Sequence, residues 1–137
     1  MSPTRPTRNR LITTVLATAA AAATAVLAAP NAGATVTNLS VATGTSNGYG
    51  TGCSYTITAS ANTPRPVTFT DNNVDIPGSP VTPTNTNGTW TATLTWIPAT
   101  TGTHTISAYQ PYSVNRPQST TLTVGTGMNA GSACLVM

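Results

Sequence analysis

Beyond residue 34 the chain carries one histidine (His104), two aspartates (Asp71, Asp75), two arginines (Arg65, Arg116) and no lysine. A general base needs an imidazole or carboxylate held by a second group. His104 oriented by Asp71 or Asp75, with a serine as nucleophile, would be the minimal hydrolytic set. No serine, however, lies in the sharp Gly-x-Ser-x-Gly turn that presents a nucleophile. His104 also falls in phase with Ile106 and Ala108 on an alternating segment, the place of a strand-start histidine packed at the edge of a core. The structural role is the expected one, and no catalytic residue is assigned.

Asp71 and Asp75 stand in "DNNVD", a D-x-N-x-D spacing like the opening of a calcium loop, where alternating oxygens converge on a hard cation. The glycine such a loop needs next is Ile76, and its twelfth position is Thr82 rather than glutamate. A hairpin turn is expected instead, with Asp71 and the asparagines bonding local backbone. One imidazole and two cysteines make a poor transition-metal set. The glycine-rich "TGTSNGYGTG" lacks the lysine and the strand–loop–helix setting of a phosphate cradle and reads as a flexible turn. No metal and no cofactor are expected.

The cysteines are Cys53 and Cys134. An export signal (below) would place them in an oxidising compartment, where a disulfide fastening the "MNAGSACLVM" tail is expected. Free reactive thiols are the alternative. Trp90 and Trp96 share a face with Leu94, which argues for a core, with room for Trp96 to be half exposed at the strand end before Pro98. Tyr49 and Tyr112 fall in loops. The segment "YQPYSVNRP" gathers Tyr109, Tyr112 and Arg116, the candidate contact surface, because tyrosine and arginine offer contact area with polar tips.

The elements that must carry these residues are strands. Apolar positions at three- and four-residue spacing are missing after residue 35, and two-residue alternation replaces them. "TVTNLSVA" turns Val36, Leu39 and Val41 inward, with a phase shift near Asn38 that suggests a bulge. "CSYTITASA" puts Cys53, Tyr55, Ile57 and Ala59 on one face, and "PVTFTD" pairs Val67 with Phe69. "NVDIPG" and "SPVTPT" read as edge segments, since Pro77, Pro80 and Pro83 cannot donate to a central ladder. In "TWTATLTWI" the face Trp90, Ala92, Leu94, Trp96 opposes threonines, which favour extended backbone and keep a surface wet without charge. "THTISAYQ" and "STTLTVG" complete the set. About seven short antiparallel strands separated by turn signals predict an all-β two-sheet sandwich.

The opening segment predicts export from the cytoplasm. Arg5, Arg8 and Arg10 precede the apolar run "LITTVLATAAAAATAVLAAP" and the small-residue exit "NAGA". This describes a secretory signal peptide over 1–34, cleaved after Ala34 to leave one domain over 35–137. A single membrane-spanning helix is the competing reading, weakened by the alanine-rich run and the lack of a basic stop-transfer cluster. Asn9 splits the arginine pair, so a twin-arginine route is not indicated. The formal charge of +3 thus belongs to the leader; residues 35–137 sum to zero, with no electrostatic footprint for nucleic acid or anionic lipid. The mature chain is expected to be secreted, with cell-wall association open.

"PVTFTDNN", "GTWTATLTWIPATTGTHTISAY" and "STTLTV" resemble the bacterial immunoglobulin-like repeat of secreted and surface proteins. The resemblance spans about residues 36–125. It implies an immunoglobulin-like β-sandwich with Val67, Phe69, Trp90, Leu94, Ile106, Ala108, Leu122 and Val124 in the core. Such repeats mostly act as spacers and adhesive modules, usually in tandem and without a cysteine pair; here there is one copy and one pair. The expectation is a secreted, non-catalytic module that meets a protein or envelope partner. The alternative is a secreted binder of a small apolar ligand or an inhibitor of an extracellular enzyme, with a hydrolase using His104 the weakest reading. Asn38 and Asn87 stand in N-x-S/T triplets open to glycosylation in a suitable host.

Overall fold

The computed structural model describes residues 33–113, 116–131 and 133–137; the leader expected over 1–34 lies outside them except for Gly33 and Ala34. In chain order the strands are β1 Val36–Ala42, β2 Tyr49–Gly50, β3 Tyr55–Ala61, β4 Thr68–Asp71, β5 Val74–Asp75, β6 Thr84–Thr86, β7 Thr89–Trp96, β8 Gly102–Tyr109, β9 Gln118–Gly125, β10 Gly127–Asn129 and β11 Cys134–Val136. No helix occurs among the described residues. A four-stranded sheet runs β1-β3-β7-β6, and a five-stranded sheet runs β2-β9-β8-β4-β5. A β10-β11 hairpin forms the tail.

Alternation decides which side chains are buried. On β3 the residues Tyr55, Ile57, Ala59 and Ala61 are buried and the threonines and serine between them are not. On β8 His104, Ile106 and Ala108 are buried in the same way. The β3 set, with Ile106 and Ala108 of β8, joins Val67, Phe69, Ala92 and Val124 in one apolar cluster fed by the inner faces of the two sheets. Each fully buried Ile or Phe contributes about 1.5–3 kcal/mol by removal from water. The expected core holds, with Trp90, Leu94 and Leu122 packed against the cluster rather than within it.

The phase shift expected in β1 is present. Its register against β3 slips between Val36 and Asn38, so Val36 and Leu39 both face the core despite an odd spacing. The Pro-rich segments do lie at sheet margins: β5 and β6 are edge strands, and Val67 meets Val81 in an isolated bridge.

Three expectations need correction. The sheets are antiparallel with one exception, because β2 pairs parallel to β9. Tyr49 therefore belongs to a strand, not a loop, and its hydroxyl donates to the Val41 carbonyl at 2.7 Å. The "flexible" glycine segment holds that strand because Gly50 lets the tail pass: a Cβ there would lie 2.7 Å from Gly127 Cα. Finally, the strands do not end at residue 125, since the tail adds β10 and β11 as a separate hairpin.

The chain ahead of β1 is also held. Asn62 donates from Nδ2 to the Gly33 carbonyl at 3.0 Å and accepts from Thr35 N at 2.8 Å. Ala34 is buried. The last two residues of the expected leader are thus part of the folded unit.

Candidate functional site

The two ends of "DNNVD" do different jobs. Asp71 pairs with Val74 across a two-residue turn, and Asn72 and Asn73 adopt φ of 48° and 67°. Two successive left-handed residues make a type I′ hairpin, the turn that matches strand twist, and asparagine tolerates it best after glycine. The hairpin is as expected, but its bonding is not local. Asn72 ties the turn to β8, accepting from Thr105 N at 2.9 Å and donating from Nδ2 to the Thr103 carbonyl at 3.4 Å.

Asp71 does not bond its own backbone either. Its carboxylate receives His104 Nδ1 at 2.8 and 2.7 Å on its two oxygens and Trp96 Nε1 at 3.0 Å. A carboxylate only accepts, so Nδ1 carries its hydrogen here. The Trp96 and His104 rings meet edge to face, with centroids 5.6 Å apart. Because β7 belongs to one sheet and β4 and β8 to the other, this trio joins the two layers through charge-assisted bonds. The side chains of His104 and Asp71 are 6% and 19% exposed, so the pair is screened from water but not sealed.

The orientation of His104 by Asp71 matches half of a hydrolytic set. The other half is occupied. His104 Nε2 lies 3.0 Å from the Thr100 carbonyl oxygen and 3.4 Å from its hydroxyl. The nitrogen that would accept a nucleophile's proton is thus committed to the β7–β8 turn, and no serine hydroxyl bonds it among the described residues. Asp75 takes no part in this cluster's hydrogen bonds.

Around this trio opens a cleft of about 370 Å³. Its walls are Val74 and Pro77 from the β5 side and Ile97 and Ala99 from the β7–β8 turn, over Trp96 and His104. Val74 and Ile97 are 69% and 55% exposed, which places two aliphatic side chains on the lips of an apolar recess. Trp96, given room to be half exposed, is instead buried. The Asp71 bond explains it, since a buried indole N–H needs an acceptor.

The disulfide Cys53–Cys134 forms, with Cα atoms 6.1 Å apart and a sequence separation of 81. Tyr55 sits beside it, its hydroxyl accepting from Gly50 N at 2.6 Å and lying 3.8 Å from Cys134 Sγ. Tyr49, Tyr55 and Trp96 pack as a continuous aromatic group. Burial, and then the neighbouring Tyr55, raises the Tyr49 phenol above its ordinary value.

The candidate contact surface divides. Tyr109 and Arg116 line one open trough on the outer face of the five-stranded sheet. Tyr112 does not join them; it is 86% exposed and lies under the Arg65 guanidinium, 5.7 Å from its ring centre. The cause is Gln110, whose buried amide donates to the Thr63 and Arg65 carbonyls at 3.1 and 2.6 Å and draws the β3–β4 loop against the end of β8. Sequence reasoning passed over Gln110, although a polar residue in phase with Ile106 and Ala108 is a signal that a buried partner exists.

No group of three or more histidine, cysteine, aspartate or glutamate side chains that could hold a metal ion occurs among the described residues, and no helix long and apolar enough to cross a membrane occurs among them. Comparison with protein-family models, with curated proteins and with solved structures found no match.

Proposed function

We propose that the chain is an exported, non-catalytic immunoglobulin-like module that recognises an extracellular or envelope partner by receiving an apolar side chain in the cleft between Val74 and Ile97. Strand orders β1-β3-β7-β6 and β9-β8-β4 follow the arrangement of the two immunoglobulin sheets, which supports the class. A disulfide and a neutral, hydroxyl-rich exterior support export. The observation that carries the reading is the pair of exposed aliphatic lips over an apolar recess, because folded proteins rarely leave such a concave patch without use.

A small apolar ligand is the second reading. The cleft volume of about 370 Å³ falls within the roughly 300–1,000 Å³ range of ligand pockets. One experiment separates the two. The purified oxidised protein, and its Val74→Asp and Ile97→Asp variants, are immobilised and exposed to culture medium and to a cell-wall extract of the native host. Capture of a polypeptide by wild type that both variants lose supports the module. Capture of none, with an apolar fluorescent dye bound by wild type and released by both variants, supports the small ligand. Neither capture nor dye binding rejects both.

A further inference from the structure

The outer face of the five-stranded sheet carries a second concavity, separate in chemistry from the apolar cleft. It is an open trough of about 540 Å³. Strand register builds it: Asp75 stands opposite Thr70, Thr70 opposite Ser107, and Ser107 opposite Ser119. These four residues form a straight polar row crossing β5, β4, β8 and β9. Within the row Ser107 and Ser119 bond each other at 2.9 Å, while Thr70 is buried beneath its neighbours. Beside it, two residues along β8, the half-buried Tyr109 ring and Pro117 give an apolar ledge, and Arg116 projects at its end.

Charge narrows the occupant. Asp75 and Arg116 both border the trough, and neither forms an ion pair among the described residues. One acid and one base leave no net field to capture an anion or a cation, and the hydroxyl floor offers nothing to an apolar helix. What fits is uncharged, rich in hydroxyls and flat on an apolar face. A pyranose has that form: its axial C–H bonds lie against the negative face of an aromatic ring, while its vicinal hydroxyls bond a carboxylate or a guanidinium in pairs. Strands repeat at about 4.8 Å, close to the advance of about 5 Å per sugar in a β-1,4-linked chain. Successive sugars laid along the row would each meet a new strand.

We infer that this trough binds a neutral β-1,4-linked polysaccharide, with Tyr109 as its stacking platform and Asp75 and Arg116 as its hydroxyl anchors. The site is independent of the apolar cleft except at Asp75, which borders both.

The test is depletion of the purified oxidised protein by microcrystalline cellulose and by chitin beads, with soluble cellopentaose and chitopentaose as competitors. Wild type is expected to be retained on at least one matrix and released by the matching oligosaccharide. Tyr109→Ala and Arg116→Ala should each weaken retention by about tenfold, as for a contact hot spot, whereas Tyr109→Phe keeps it within about twofold because the ring remains. Val74→Asp should leave it unchanged. Arg116 is exposed outside any strand, so its variant tests the site even if Tyr109→Ala fails to fold. No retention of wild type on either matrix, retention indifferent to Arg116→Ala, or retention lost in Val74→Asp would each overturn the inference.

Discussion

Two fastenings hold this sandwich, one covalent and one polar, and they meet through the same aromatic group. The Cys53–Cys134 bond closes the tail over an 81-residue separation. The Asp71–His104–Trp96 cluster joins the sheets without a covalent link. Tyr55 lies between them, its hydroxyl 3.8 Å from Cys134 Sγ and its ring 5.8 Å from Trp96. The difference lies in what each acts on. A disulfide works chiefly by restricting the unfolded chain, so either cysteine alone is worth nothing. The polar cluster works only in the folded state, and loss of one member leaves the others unpaired in a screened site, which costs more than never having had them.

The largest effect should follow removal of the covalent fastening. Cys53→Ala with Cys134→Ala is expected to lower unfolding free energy by up to about 4.5 kcal/mol, the loop-entropy figure for a closure of this length. Urea denaturation with and without reductant measures it. The polar fastening should come next: Asp71→Ala is expected to cost about 2–3 kcal/mol, because both the His104 and Trp96 donors lose their acceptor. Equal costs for the two changes would erase the contrast.

The sequence displayed these two fastenings unequally. A lone cysteine pair in a chain with an export-like leader has few alternatives, and so the bond was legible before any geometry. The polar cluster was visible only in pieces. His104 could be placed on the buried face by its phase with Ile106, and Asp71 could be put in a hairpin. That Trp96, from the other sheet, closes on the same carboxylate depends on how the two layers stack, which no local pattern states. The tail hairpin and the parallel β2 were illegible for a related reason. Each is a short strand stabilised by docking onto a neighbour, not by its own alternation. The split of Tyr112 from Tyr109 and Arg116 came from a single buried amide, Gln110, whose reach spans 47 residues.

Smaller effects sharpen the comparison. Gly127→Ala should destabilise by about 1–3 kcal/mol through overpacking, since a Cβ there would collide with the Thr51 carbonyl and approach Cys53 Sγ to 2.9 Å. Calorimetry should show that loss in the oxidised protein, and little further loss once the disulfide is reduced and the tail is free. Tyr49→Phe should cost about 1 kcal/mol for its bond to Val41, with a pH signature. The Tyr49 phenol is raised in the folded state, so above about pH 10 the unfolded chain releases that proton first. Stability from this group is complete below pH 10 and declines as pH rises through the higher folded value. The variant should therefore show a shallower alkaline decline than wild type when midpoints are compared across that range.

The account rests on the Asp71–Trp96 bond being a fastening between the two layers, with the Asp71 carboxylate serving that bond rather than a catalytic set. A double-mutant cycle of Asp71→Ala, Trp96→Phe and both together, read by urea denaturation, tests this most directly, because the Phe ring keeps the packing and removes only the N–H that Asp71 accepts. The expected coupling is at least about 1 kcal/mol, with the double variant less destabilised than the sum of the singles. Additivity within about 0.3 kcal/mol would show that the contact holds nothing together, and the claim would fail.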